Sequence, residues 1–255
     1  MEQLYVNETG TFGSPVILFL HGSPLSGRMW QPQLEHLRDF HCLAPDLPGH
    51  GQSAAIKPPE MRDLVKELAD LVIRTSPTDK AHVVGLSYGG VVAQALMAAA
   101  PEVVDRVVLS GTATRLNKFL VLLQTLNIPV LRLLKPAQLA SLMRKQFGET
   151  LAYEGFEEDL DRFSPDAYNQ VLWSYADIVM PSKSQSPTLV AVGEKETSVA
   201  RNAARALCRG IPQSRGVLVP EGTHVWNLQF PELFSDMVRA WFTQQALPEG
   251  LSVLA

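Results

Sequence analysis

The sequence predicts an α/β protein with a mostly parallel sheet, helices on both faces of the sheet, and one all-helical insertion. Short apolar runs alternate with longer segments of helical periodicity, which is the pattern of repeated strand–helix–strand units. The apolar runs are continuous and do not alternate with polar residues, as expected for strands that are covered on both faces. A single long stretch, 112–186, has helical spacing and contains no candidate strand.

The expected strands and helices follow one another in a regular order. The strands are 15–22, 41–47, 81–86, 105–111, 187–194 and 215–222. The first of them, "PVILFLHG", is apolar along most of its length. The expected helices are 61–74, 88–100, 198–210 and 231–245. The helix 61–74 carries apolar residues at positions 61, 64, 65, 68, 71 and 72, which lie on one helical face.

Residues 112–186 interrupt this rhythm and divide the chain. Their leucines recur at helical spacing, and Pro165 stands where a further helix is expected to begin. We therefore expect a catalytic core formed by 1–111 and 187–255, and a helical cap or lid formed by 112–186.

Composition and the first residues of the chain indicate which partners and which cellular compartment to expect. The 255 residues are 46% hydrophobic and 19% charged, and the formal net charge is −4, so electrostatics favour neither nucleic acid nor an anionic membrane. Cys42 and Cys208 have no metal-binding or redox spacing, and we expect two free thiols and no metal. The first residues lack the pattern of a secretory signal, which indicates a cytoplasmic protein. The oligomeric state is left open.

The stretch "GLSYG" (85–89) joins an expected strand to an expected helix around Ser87. Such a turn forces its central residue to a positive φ and brings the flanking residues together, so Gly85 and Gly89 are needed there. The turn also places the hydroxyl at a helix N-terminus, where negative charge is favoured. This is the G-x-S-x-G nucleophile elbow in its expected context, and Ser87 is the candidate nucleophile.

A serine hydroxyl needs a base, and His224 is the best candidate among six histidines. It follows the strand 215–222, at the sheet edge where Ser87 is expected. His82 begins its strand and so lies at the opposite edge, whereas His21, His36 and His41 fit structural roles. The imidazole in turn needs a carboxylate, and the segment after strand 187–194 offers both Glu194 and Glu196.

Three motifs, "LHGSP" (20–24), "APDLPGHGQS" (44–53) and "GLSYGG" (85–90), together with the order nucleophile, acid, histidine, resemble the α/β-hydrolase superfamily. The resemblance covers nearly the whole chain and points to serine-nucleophile, cap-containing members of esterase or haloperoxidase type. It implies that Glu196 is the acid, in a G-x-x-D spacing with Glu in place of Asp, with Glu194 as the alternative. It also implies an oxyanion hole made by the amides of Ser23 and Tyr88. In the signature turn 46–53, His50 is expected to form hydrogen bonds within the turn.

The resemblance implies a hydrolase of a small, apolar carboxylic ester or related acyl compound, acting through Ser87, His224 and Glu196 without a cofactor. Two alternatives stay open: a cofactor-free lyase, C–C hydrolase or perhydrolase that uses the same triad, and a non-catalytic ligand-binding member of the fold. The apolar segment 119–134 fits either packing of the cap helices or a roof over an apolar substrate. Pro129 and the lack of a basic face argue against an interfacial membrane helix.

Overall fold

The fold is built around one twisted sheet, seen in a computed structural model that describes residues 3–254. In the described residues the sheet has eight strands in the order β1-β3-β2-β4-β5-β6-β7-β8. The strands are β1 Val6–Gly10, β2 Val16–Leu20, β3 His41–Pro45, β4 Ala81–Leu86, β5 Val104–Ser110, β6 Thr188–Gly193, β7 Ser214–Val219 and β8 Ser252–Val253. Only the outer pairs, β1–β3 and β7–β8, are antiparallel among these strands.

Helices cover both faces of the sheet. Those of the two-sided core are α1 Gln31–His36, α2 Met61–Thr75, α3 Tyr88–Ala99, α9 Ser198–Gly210, α10 Trp226–Gln229 and α11 Pro231–Phe242. One core cluster joins apolar residues of α2, α3 and α9 to one face of the sheet, and a second joins those of α1 and α11 to the other. Along β2, Leu18 and Leu20 belong to the first cluster, while Ile17 and Phe19 belong to the second. This alternation explains why β2 is apolar throughout.

Five helices lie between β5 and β6: α4 Lys118–Thr125, α5 Ile128–Leu131, α6 Pro136–Phe147, α7 Phe156–Asp161 and α8 Pro165–Ser174. The stretch 112–186, here called the insertion, contains no strand, as the sequence predicts. Its small core includes Val121, Ile128, Leu172 and Ala176. The buried carboxylate of Asp159 in α7 accepts hydrogen bonds from Ser26 Oγ (2.5 Å) and Tyr153 Oη (2.7 Å). The bond to Ser26 fastens the insertion to a core loop.

The predicted α/β fold class is confirmed, and each of the six expected strands coincides with an observed strand to within a few residues. The sequence reading missed β1, β8 and α1. Strand β1, "VNETG", is a polar edge strand that pairs on one side only, so it lacks the apolar run that marks the central strands. Residues 1, 2 and 255 lie outside the described range, so the outermost limits of the predicted core are untested. None of the described helices is both long and apolar enough to cross a bilayer.

Candidate active site

Ser87 lies at the junction of β4 and α3 in a strained backbone conformation, with φ +55° and ψ −115°. Its amide donates to Ser110 O in the neighbouring strand (3.0 Å), which holds the turn against β5. A Cβ on Gly85 would approach Gly89 O to 2.6 Å, as the elbow geometry predicts. A Cβ on Gly89 would instead collide with the Leu20 carbonyl oxygen, so Gly89 is needed for close approach of α3 to β2.

The imidazole of His224 and the carboxylate of Glu196 are directly bonded. His224 Nδ1 lies 2.6 Å from Glu196 Oε2, and Gly193 N donates to Glu196 Oε1 (3.0 Å). The Glu196 side chain is 2% exposed, whereas the His224 side chain is 18% exposed. Because a carboxylate accepts, Nδ1 carries the proton that donates to Glu196, and Nε2 is left with its lone pair free to accept.

The alternative acid, Glu194, is positioned elsewhere. It is exposed, and its Oε2 accepts a hydrogen bond from Glu221 N (3.0 Å). Glu194 therefore braces the loop between β7 and α10, and the geometry favours Glu196 as the partner of His224.

Ser87 and His224 line one cavity, but their side chains are not hydrogen-bonded to each other in the described structure. Tyr175, at the end of α8, lines the same cavity, and the nearby Ser87 side chain partly offsets the burial that raises the pKa of its phenol. Gly111, at φ +53°, lies beside His224, and a Cβ there would come within 3.0 Å of His224 Nδ1. Hydrogen bonds of this kind are often loose without substrate and tighten in the reacting complex.

The loop after β2 passes beside Ser87. A Cβ on Gly22 would lie 3.3 Å from Ser87 Cβ, and Ser23 lines the same cavity as Ser87. His21 accepts from Leu47 N at Nε2 (2.9 Å) and donates from Nδ1 to Gly22 O (3.0 Å). The bond from Leu47 N joins the loop after β2 to the loop after β3, and the bond to Gly22 O orients the ring.

His50 makes a second link between the same two loops. Its Nδ1 donates to Pro48 O (3.0 Å), within the turn as the sequence predicts. Its Nε2 accepts from Ser23 Oγ (2.7 Å), which the sequence did not indicate. His50 thus holds the segment that carries the candidate oxyanion amide of Ser23.

The cavity beside Ser87 has a volume of about 840 Å³. Its lining includes the apolar side chains Leu116, Leu120, Leu123, Phe147, Val171, Leu172 and Val199. Apart from His224, no ionisable Asp, Glu, Lys, Arg or His side chain of the described chain lines it. Three of the four arginines of the insertion make contacts elsewhere: Arg115 Nε donates to Ala176 O (2.9 Å), Arg132 pairs with Asp166, and Arg144 Nε donates to Leu151 O (3.2 Å).

Comparison with known proteins shows the family of the chain. The model of the alpha/beta hydrolase family matches residues 17–237. The chain belongs to the alpha/beta hydrolase family. It is 32% identical over 256 residues to an AB hydrolase superfamily protein of Gibberella zeae, covering 95% of this chain and 85% of the relative. It is 24% identical to the (E)-2-((N-methylformamido)methylene)succinate hydrolase of Acinetobacter baylyi, over 90% of each chain.

A solved structure extends the comparison to the whole fold. A thermophilic esterase of Thermogutta terrifontis superposes with a TM-score of 0.77 at 27% identity, covering 94% of this chain and 93% of the esterase. The relatives named as hydrolases and esterases support an enzymatic role for this chain.

Two residues of this hydrolase that border Ser87 were not found from the sequence. Thr112 Oγ1 donates to Ser87 O (2.8 Å) and so supports the elbow from the end of β5. Tyr175 lines the cavity beside Ser87 from the insertion. Neither residue belongs to a recognisable sequence motif, because each reaches the site through tertiary packing. Trp30 and Trp226 are fully buried core residues.

His21 and His50, in the loops after β2 and β3, are neutral at physiological pH. Burial lowers the pKa of His21 to about 4, and burial together with the nearby His21 lowers the pKa of His50 to about 3. Neutral rings fit their bonds, because each ring uses one nitrogen as a donor and the other as an acceptor.

We expect His50→Gln to flatten the pH dependence of stability. The folded-state pKa of His50 lies below its ordinary value of 6.5, so unfolding takes up a proton between pH 6.5 and about 3. The free energy of unfolding of the wild type should therefore fall, as pH drops through that window, by up to about 1.4 kcal/mol per pH unit more than that of the variant. Urea unfolding at pH 7, 6 and 5 measures this difference. If the free energies of unfolding of the two proteins change in parallel with pH, His50 keeps an ordinary pKa and the prediction is wrong. The contribution of His21 cancels, because His21 is present in both proteins.

Proposed function

We propose that this alpha/beta hydrolase cleaves a small, neutral, largely apolar carboxylic ester or related acyl compound through an acyl-enzyme. Ser87 is the nucleophile, His224 the general base and acid, and Glu196 the residue that orients His224. The observation that carries the proposal is the 2.6 Å contact between His224 Nδ1 and the buried Glu196 carboxylate, beside the cavity that Ser87 lines.

In the acylation step, Ser87 Oγ forms a bond to the carbonyl carbon and its proton passes to His224 Nε2. The negative charge that develops on the carbonyl oxygen is stabilised by the amides of Ser23 and Tyr88, the second of which stands at the N-terminus of α3. The tetrahedral intermediate then collapses: the bond to the alcohol oxygen breaks, and the proton on Nε2 goes to that oxygen.

In deacylation, water enters in place of the alcohol. His224 takes a proton from the water as its oxygen attacks the acyl carbon, and later returns a proton to Ser87 Oγ. Throughout both steps Glu196 stabilises the positively charged imidazole. The proposed mechanism uses no cofactor.

The nature of the cavity supports the proposed substrate class. Leu120 and Leu123 of α4 line it, so part of the apolar segment 119–134 faces the substrate, while Val121 and Ile128 pack into the small core of the insertion. We accordingly propose that residues 112–186 act as a cap over Ser87. With no charged carboxylate or cationic side chain in its lining among described residues, the cavity favours an uncharged acyl group.

The same triad would also serve a cofactor-free lyase or C–C hydrolase in which His224 takes a proton directly from the substrate. One observation favours this second candidate: among the described residues no hydrogen bond joins the Ser87 side chain to His224. In such an enzyme, Ser87 would not need to become covalently attached to the substrate.

Covalent labelling separates the two candidates. A fluorophosphonate probe should label Ser87, identified by mass spectrometry of the tryptic peptide, and a 4-nitrophenyl ester should give a burst of nitrophenolate. Ser87→Ala should abolish both signals. Labelling without ester turnover would favour the lyase. If ligands bind unaffected by Ser87→Ala and a broad ester panel is not turned over, the protein is a binding member of the fold.

A further inference from the structure

Tyr175 brings a hydroxyl from the insertion to the reacting serine. It follows α8 directly, lines the cavity together with Ser87 and His224, and lies near enough to the Ser87 side chain for that side chain to influence the pKa of its phenol. The sequence reading assigned it no role, and the mechanism proposed above does not use it.

The backbone around Tyr175 is held firmly. Leu116 N donates to Tyr175 O (2.9 Å), Tyr175 N donates to Leu172 O (3.2 Å), and Arg115 Nε donates to the next carbonyl, Ala176 O (2.9 Å). The ring packs against the core cluster that contains α3. The backbone bonds and the packing of the ring together limit the positions that the hydroxyl can take, as a catalytic donor requires.

The phenol keeps its proton at working pH. Burial raises the pKa of Tyr175 above its ordinary value, the nearby Ser87 side chain partly offsets this effect, and Tyr168 and Tyr88 raise the pKa further. Tyr175 is therefore a hydrogen-bond donor in the reaction and not a base.

As the reaction proceeds, a different oxygen becomes the best acceptor for the hydrogen bond from the Tyr175 hydroxyl. When Ser87 Oγ bonds to the acyl carbon it becomes an ester-type oxygen, which is a weaker acceptor than either oxygen that gains negative charge. The carbonyl oxygen faces the amides of Ser23 and Tyr88, which belong to core loops. The remaining oxygen, that of the departing alcohol, is left to donors on the insertion side of the cavity.

Given the proposed acyl-enzyme function, we propose that the Tyr175 hydroxyl donates a hydrogen bond to the leaving-group oxygen as the tetrahedral intermediate collapses. The proton that ends on the alcohol comes from His224 Nε2, and Tyr175 retains its own. Its contribution is to stabilise the charge on that oxygen while the carbon–oxygen bond breaks.

The dependence on leaving group tests this role. An ethyl ester expels a strongly basic alkoxide and needs the donor, whereas a 4-nitrophenyl ester of the same acid expels a stable anion and does not. We expect Tyr175→Phe to lower kcat/KM for the ethyl ester by about 100-fold, the effect of one preorganised donor. The kcat/KM for the 4-nitrophenyl ester should change by less than about three-fold, because a stable leaving anion does not need the hydrogen-bond donor.

Tyr168→Phe is the matched control. Tyr168 lines the same cavity from α8, but burial alone raises the pKa of its phenol and Ser87 has no effect on it. Its replacement should leave the ratio of kcat/KM between the two esters unchanged. The rate of fluorophosphonate labelling of Ser87 in Tyr175→Phe checks that the site is still assembled.

Equal losses on both esters in Tyr175→Phe would overturn the proposal, because they would place the hydroxyl on the carbonyl oxygen or the nucleophile. A weaker substrate Kd with an unchanged single-turnover rate of acylation would also overturn it, since that is a binding effect. The proposed function is judged separately: if 4-nitrophenyl ester turnover by Tyr175→Phe still requires Ser87, the acyl-enzyme mechanism stands whatever the ratio between the two esters.

Discussion

Replacing Ser87 by alanine is expected to lower kcat/KM for ester hydrolysis by roughly 10⁴- to 10⁶-fold, and His224→Ala should cost a similar factor. Without the hydroxyl there is no acyl-enzyme, and without the imidazole the hydroxyl keeps its proton. Because the two groups act in one proton transfer, the double variant should be little slower than either single variant. Steady-state kinetics on one ester, with rigorously purified variants, measures all three values.

Ser235→Ala is the matched control for the serine change. Ser235 is also buried, but its hydroxyl donates to Pro231 O (2.7 Å) within α11, on the face of the sheet covered by α1 and α11. Its kcat/KM should equal that of the wild type. If the Ser87 and His224 losses simply multiplied in the double variant, the two residues would be acting in separate steps and the triad would be wrong.

Replacing Glu196 by glutamine is expected to lower kcat/KM by about 10³- to 10⁴-fold. The amide would keep the shape of the carboxylate, and its oxygen could still accept from Gly193 N. Its NH₂ group would then face His224 Nδ1, and two donors cannot bond to each other. The imidazole would adopt the tautomer with the proton on Nε2. That nitrogen could then not accept the proton of Ser87.

Glu194→Gln gives the comparison, since Glu194 is exposed and bonded to Glu221 N. That variant should lose less than about two-fold, in line with the small effects of exposed surface changes. The acid assignment fails if the two results are reversed, with Glu194→Gln inactive and Glu196→Gln active.

The sequence was informative where chemistry imposes a local pattern. The elbow around Ser87 needs small residues at fixed offsets, so its strand, turn and helix could be predicted from fifteen or so residues. The distinction between Glu194 and Glu196 could not be drawn from composition, because the two side chains differ only in direction. The family's spacing favoured Glu196, and the geometry agrees with it.

The remaining neighbours of Ser87 depend on contacts between segments far apart in the chain. His50 and Ser23 meet across 27 positions, and Tyr175 reaches Ser87 from the end of a helix whose residues otherwise look like packing. Strands β1 and β8 were missed for a different reason. Each pairs along one side only, at the rim of the sheet, where burial leaves no continuous apolar run.

The hydrogen bond from Leu116 N to Tyr175 O joins two distant positions of the insertion at its base. The segment between these two positions begins and ends at nearly the same place. Its length and sequence can therefore vary without displacing a strand of the sheet. On the proposal that residues 112–186 act as a cap, exchange of this segment for that of a relative should therefore change which substrates the enzyme accepts. The hydrogen-bonded pair Glu196–His224 would be inherited intact, since both residues belong to the other part of the chain.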